Sequence, residues 1–129
     1  MALCCLLVDD DTRFLESARE LLEREGLAVD TASTGAQAVR RTSELQPDLV
    51  LLDIGLGRES GFDVARELQA AWSVESSRQE RLKIVLISSY AEADFGRLIE
   101  ASPVLGFIPK ASLSARVIRE LLEGDASGP

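Results

Sequence analysis

The apolar positions of this chain fall into two alternating rhythms. Residues 3–8 (LCCLLV) form an unbroken apolar run of strand length, the pattern of a strand buried on both faces. Asp10 or Asp11 can cap the helix that follows, where Phe14, Leu15, Ala18, Leu21 and Leu22 recur at helical spacing until Gly26 stops it. Residues 27–32 read as a weaker strand. Ser33, Thr34 and Gly35 lead into a second amphipathic helix with Ala38, Val39, Thr42 and Leu45 facing inward, ended by Pro47. The alternation continues. Residues 48–54 (DLVLLDI) predict a third strand closed by Asp53, and after a glycine-bearing loop residues 61–72 (GFDVARELQAAW) predict a third helix. Residues 73–81 (SVESSRQER) are polar and read as a surface connection. Residues 83–89 (KIVLISS) predict a fourth strand, 91–101 (AEADFGRLIEA) a short helix weakened by Gly96, and 104–110 (VLGFIPK) a fifth strand. Residues 113–123 (LSARVIRELLE) predict a last helix with Val117, Ile118, Leu121 and Leu122 on one face, and 124–129 (GDASGP) a disordered tail or linker stub.

Strands alternating with helices imply an α/β fold: a parallel sheet with helices on both faces, joined by right-handed crossovers. Ligands of such sheets bind outside the carboxyl ends of the strands, where the strand order reverses. The length of 129 residues is that of one domain, and 46% hydrophobic residues suffice for its core. A formal charge of −8 offers no basic surface for phosphate backbones, which argues against direct contact with nucleic acid. There is no histidine, so imidazole catalysis, imidazole metal ligation and a phosphohistidine of the chain's own are excluded. Cys4 and Cys5 are adjacent and read as buried small hydrophobes in a reducing, cytoplasmic compartment. No apolar stretch approaches the roughly 18 residues that span a membrane, and no positively charged region precedes the first apolar run.

The polar residues that interrupt this pattern gather at strand ends. Asp9 and Asp10 follow the first strand, Asp53 closes the third, Ser88 the fourth and Lys110 the fifth. Alone, an aspartate run such as 9–11 is an ordinary solvated loop with a helix cap. Delivered to one sheet edge with Asp53, it becomes a carboxylate cluster. Two unit charges about 4 Å apart repel by roughly 4 kcal/mol at an effective dielectric of about 20, so such a cluster calls for a cation. Magnesium is the natural guest, because it takes oxygen ligands and commonly uses one or two carboxylates together with phosphate oxygens.

The stretches LLVDDD, PDLVLLDIGLGRESGFDVAREL, LISS and GFIPK, in that order, resemble the receiver domain of bacterial response regulators, from about residue 3 to about residue 123. That resemblance implies a flavodoxin-like, doubly wound five-stranded sheet in the order 2-1-3-4-5, which brings the ends of the first and third strands together. It implies that Asp53 is the phosphoacceptor, Asp9 and Asp10 the acidic pair of a magnesium site, Ser88 the switch hydroxyl, Lys110 the lysine that contacts the acyl phosphate, and Phe107 the aromatic switch. In this reading Asp10 and Asp53 bind Mg2+ directly, Gly55 lends its backbone carbonyl, and Asp9 acts through a water. Ser89, adjacent to Ser88, could compete for its role. The implied partner is a sensor histidine kinase or phosphotransfer protein, with the surface of the fourth helix, fifth strand and fifth helix as the switching face and a candidate homodimer face. Neither nucleic acid nor membrane is an expected direct partner of this domain.

The sequence departs from the family pattern in two places. Many receivers have a proline after the lysine, joined by a cis bond. Here Pro109 precedes Lys110 and Ala111 follows, so a trans bond is expected. Gly55 and Gly57 stand where a bulkier residue and a proline are common, which loosens the loop beside the acceptor. Tyr90, two residues past Ser88, is expected to shield the site partly from attacking water. The expected function is a phosphoacceptor signalling domain that catalyses only its own phosphorylation and dephosphorylation. The alternatives are a receiver-shaped interaction module that is never phosphorylated, and a flavin mononucleotide carrier. The last would need a hydroxyl-rich phosphate loop where this chain has aspartates. The chain stops soon after its fifth helix, consistent with either a stand-alone receiver or part of a regulator with an output domain.

Overall fold

In the computed structural model, which describes residues 3–75, 80–89 and 95–126, strands and helices alternate along the chain. The strands are β1 (Cys4–Val8), β2 (Ala28–Ala32), β3 (Leu49–Asp53), β4 (Gly55–Leu56), β5 (Glu59–Ser60), β6 (Ile84–Ser88) and β7 (Gly106–Pro109). The helices are α1 (Thr12–Arg24), α2 (Gly35–Leu45), α3 (Gly61–Glu75), α4 (Gly96–Glu100) and α5 (Ala115–Ala126), with a 3-10 turn at Lys110–Ser112. Five strands make one parallel sheet in the order β2-β1-β3-β6-β7. Apart from the small β4-β5 hairpin, this is the order 2-1-3-4-5 expected above. The chain winds outward in both directions from β1 and β3, and the switch point lies between their carboxyl ends.

The sheet separates two apolar cores. Leu6, Val8, Val50, Leu52, Ile84 and Leu86 face one side, packed with Val64, Leu68 and Trp72 of α3. Cys5, Leu7, Leu49, Leu51, Val85 and Ile87 face the other, packed with Leu15, Ala18 and Leu22 of α1 and Ile118 of α5. This explains the unbroken apolar runs: with helices on both faces, neither set of alternating side chains meets water. Each such leucine or isoleucine contributes about 1.5 to 3 kcal/mol by leaving solvent. Cys5 behaves as one more core hydrophobe, and burial, first of all, pushes its thiol pKa up to about 12.

Helix ends obey local chemistry. Asp11 caps α1, its carboxylate accepting hydrogen bonds from the N–H groups of Arg13 and Phe14, and Gly26, with φ of 98°, lets the chain turn out of the helix. Thr34 caps α2 by accepting from Gln37 N–H. Asp11→Ala is expected to lower the unfolding free energy by about 1 kcal/mol, measured by urea denaturation.

Several expectations need correction. Leu21 and Leu45 are 38% and 39% exposed: Leu21 lies beside the buried line of Leu15, Ala18 and Leu22 rather than in it, and Leu45 is the last residue of α2. The segment after β3 is a hairpin, not a plain loop. Helix α3 runs through Ser73, Val74 and Glu75, which composition alone assigns to the surface connection; residues 76–79 of that connection lie outside the described residues. Helix α5 continues through Gly124 and Asp125 to Ala126, so half of the anticipated tail is helical. Gly96 is the first residue of α4 rather than an interior one, which removes the expected interior helix cost. Residues 91–94, Tyr90 and 127–129 lie outside the described residues. The Lys110–Ala111 bond is trans.

Candidate functional site

The carboxyl ends of β1, β3, β6 and β7 converge on one edge of the sheet. Asp9 follows β1, with its N–H donating to the Ala32 carbonyl at 3.1 Å, and its side chain is fully buried. Asp53 ends β3 and is 7% exposed. Asp10 is exposed at the mouth. One carboxylate oxygen from each of Asp9, Asp10 and Asp53 lies within 4.8 Å of the others. Lys110, at the start of the 3-10 turn after β7, brings its ammonium to 2.6 Å from Asp9 Oδ2 and 3.7 Å from Asp53 Oδ2. Ser88, 3% exposed, ends β6 in register with Pro109 of β7. It stands one residue beyond Ile87, the neighbour of Asp53.

The three consecutive aspartates divide their work. Asp9 accepts the Asp11 N–H through Oδ1 at 2.9 Å and faces Lys110 through Oδ2. Asp10 opens to solvent, and Asp11 caps α1.

The electrostatics favour a cation. Three carboxylates face one ammonium, and Asp53 shows the imbalance. Burial first, and then the charge of Asp9, push its pKa from 3.8 up to about 6, against the opposing pull of Lys110 and a hydrogen bond from the Gly55 backbone. For Lys110, burial works against the ammonium. The hydrogen bond to Asp9 and the charges of Asp53, Asp9 and Asp11 outweigh it, so its pKa lies above the ordinary lysine value. The donors are all hard oxygens and the mouth is open at Asp10, a set that fits a magnesium ion.

The hairpin after β3 shapes the rim. Gly55 and Leu56 pair with Ser60 and Glu59. Gly57 takes φ of 63° at the first position of the two-residue turn, where a non-glycine would be strained. A side chain there would also lie 3.5 Å from Asp10 Oδ2, so glycine keeps that carboxylate uncovered. Gly61 is the tightest point of the site. A Cβ there would run into the Asp53 carbonyl oxygen and, at 2.7 Å, into Ile54 Cα, so α3 can start this close behind β3 only without one. The Glu59 carboxylate accepts the Gly35 N–H at 2.9 Å and ties the hairpin to the start of α2.

Phe107, on β7 beside Leu86, is half-buried and packs against the α3-side core with Phe95, Ile99 and Val104. Ser89 is exposed. Two features went unseen in the sequence: the Glu59 tie, and Phe14, whose ring centroid lies 4.5 Å from the Lys110 ammonium. Phe14 was read only as a core-facing position of α1.

Fold and site together define a doubly wound α/β domain with an acidic pocket at its switch point. Residues 5–123 match the family described as "Response regulator receiver domain", and the chain belongs to that family. The transcriptional regulatory protein KdpE of Mycobacterium tuberculosis (strain H37Rv) is 48% identical over 59 residues, which is 46% of this chain and 26% of that protein. The alginate biosynthesis transcriptional regulatory protein AlgB of Pseudomonas syringae pv. tomato is 34% identical over 91 residues, 69% of this chain and 18% of that protein. The matches thus span about a quarter or less of these relatives. Among solved structures, the N-terminal domain of a response regulator/sensory box/GGDEF 3-domain protein from Carboxydothermus hydrogenoformans superposes with a TM-score of 0.70 at 27% identity, covering 94% of this chain and 91% of that one. A CheY-like receiver domain protein from Methanospirillum hungatei gives 0.75 at 23% identity over 99% and 100%, a likeness of fold. Among the described residues no helix is long and apolar enough to cross a membrane.

Proposed function

We propose that this domain accepts a phosphoryl group on Asp53 from a sensor histidine kinase or phosphotransfer protein, and that the modified acceptor redistributes its conformations to control an output. The observation that carries this reading is the buried Asp53 carboxylate at the switch point, with Asp9, Asp10 and the Lys110 ammonium gathered round it. Asp10, Asp53 and the Gly55 carbonyl would hold Mg2+, with Asp9 reached through a water. Bound there, the ion supplies positive charge against the phosphoryl oxygens.

The chain's own residues do the rest. An Asp53 carboxylate oxygen attacks the phosphorus in line. A P–O bond forms as the donor's P–N bond breaks, and the electron pair leaves on the imidazole nitrogen, which takes a proton from solvent. Lys110, whose ammonium already stands 3.7 Å from Asp53 Oδ2, neutralises charge on the transferred group, so little reorganisation is needed. Leu52, Ile54 and the β6 neighbour Ile87 lie in the apolar cores on either side of the sheet, so the strand that carries Asp53 is dry behind it. Hydrolysis later returns the carboxylate.

Phosphorylation shifts an equilibrium only through contacts that differ between states. Ser88 would donate its hydroxyl proton to a phosphoryl oxygen, and Phe107 would turn further inward behind it, moving the surface of α4, β7 and α5. Leu98 on that surface is 54% exposed, which suits repacking against a second copy. The whole regulator's output is proposed to be transcriptional, as the names of KdpE and AlgB suggest, through a domain other than this one.

Acetyl phosphate with Mg2+ is the direct test. The expected result is one added phosphoryl group mapped by mass spectrometry to Asp53. Beryllofluoride should shift amide resonances of β6, β7 and α5. A chain that gains no mass and keeps its spectrum is the unphosphorylated interaction module instead.

A further inference from the structure

The Lys110 ammonium is held on three sides. Asp9 Oδ2 lies at 2.6 Å and Asp53 Oδ2 at 3.7 Å, and the Phe14 ring centroid lies at 4.5 Å. A lysine head is a compact charge on a flexible stem, and an aromatic face attracts such a charge electrostatically. The backbone that carries the ring is held by the aspartate run. Asp11 accepts the Phe14 N–H at 3.3 Å and that of Arg13 at 3.0 Å, locking the first turn of α1. Asp11 in turn donates its N–H to Asp9 Oδ1 at 2.9 Å. One carboxylate, Asp9, therefore grips the ammonium through one oxygen and the turn that carries the ring through the other.

We propose that Phe14 is a positioning residue for phosphorylation of Asp53: its ring face, together with the Asp9 grip, keeps the Lys110 ammonium beside the acceptor before the phosphoryl group arrives. The proposal rests on the role given to Lys110 above. Phe14 also packs against the core containing Leu15 and Ile118, so a plain filling role must be separated from a cation-holding one. Filling needs bulk; holding a cation needs the negative face of the ring. Leucine supplies the first without the second. Stepwise fluorination keeps the ring's shape while draining its face.

The experiment measures initial rates of Asp53 phosphorylation by acetyl phosphate with Mg2+ for wild type, Phe14→Leu, Phe14→Tyr and a series with mono-, di- and trifluorinated phenylalanine at position 14. Phe14→Leu is expected to be about three- to tenfold slower, Phe14→Tyr close to wild type, and the fluorinated series progressively slower. Independently of any phosphorylation, the Lys110 side-chain methylene protons should be displaced upfield by the ring current in wild type and return to ordinary lysine positions in Phe14→Leu. A fluorinated series with the wild-type rate overturns the proposal while leaving Asp53 as acceptor. Wild-type protein that takes no phosphoryl group, yet shows the displaced methylene signals, overturns the functional reading itself and this role with it. Undisplaced wild-type signals refute the contact.

Discussion

Asp53→Asn protein is expected to take up phosphoryl groups from acetyl phosphate on the order of a thousandfold or more slowly than wild type, effectively not at all. The substitution keeps the shape of a side chain that is 7% exposed but replaces the anionic oxygen with an amide, which cannot attack phosphorus. It leaves Lys110 paired with Asp9 at 2.6 Å, so the pocket is not dismantled. It also removes one of three mutually repelling carboxylates, so the loss of labelling cannot be ascribed to unfolding if the variant's circular dichroism and urea midpoint match or exceed those of wild type. Intact mass and peptide mapping decide the matter. Equal incorporation in both proteins would place the acceptor elsewhere, with Asp10 the first candidate because it is exposed at the pocket's mouth.

What could be read from the chain alone follows a physical rule: features written in several consecutive residues were legible, and features made by two distant residues were not. The runs behind β1, β3 and β6 are continuous because both faces of those strands are buried, and each ends where a polar residue meets the sheet edge. That is why Asp9, Asp53, Ser88 and Lys110 could be assigned to one sheet edge from strand ends, while the strand order that makes the first and third strands neighbours came from the family resemblance. The β4-β5 hairpin escaped because each strand has two residues, fewer than any alternation can reveal, and its turn depends on the positive φ of Gly57. The Lys110 to Phe14 contact joins the first turn of α1 to the turn after β7, and no periodicity marks such a pairing. Likewise the Glu59 bond to Gly35 depends on how the hairpin leans on α2. Leu21 and Leu45 show the converse error, for helical spacing reports a face but not how completely each position on it is covered.

The protein without metal should lose stability as pH rises through about 6, and magnesium should restore it. The sign follows from Asp53, whose carboxyl titrates near 3.8 when free and is pushed up to about 6 in the folded chain by burial and by Asp9. Between those values the native state binds the proton and the unfolded chain does not, so unfolding becomes easier with each step up in pH, and the loss levels off above the folded value. A difference of about two units corresponds to on the order of 3 kcal/mol. Lys110, whose pKa is raised, contributes stability that is complete below the ordinary lysine range and lost only above it, so it does not disturb this window. Urea unfolding in chelator at pH 4.5, 6 and 7.5 measures the effect, and subtracting the same series for Asp53→Asn isolates the one residue. Between pH 4.5 and 7.5 wild type should fall relative to the variant by about two thirds of that amount, since part of the loss lies below pH 4.5; a difference that does not vary with pH would mean that neither burial nor Asp9 raises the Asp53 carboxyl. Proton and Mg2+ compete for the same carboxylate, so magnesium at about a hundred times its dissociation constant should return roughly 2.7 kcal/mol at pH 7.5 and far less at pH 4.5. The burial and the crowding by Asp9 that make an ionised Asp53 carboxylate costly are therefore what a bound ion would relieve, and that relief is the energy that would draw the ion to the site.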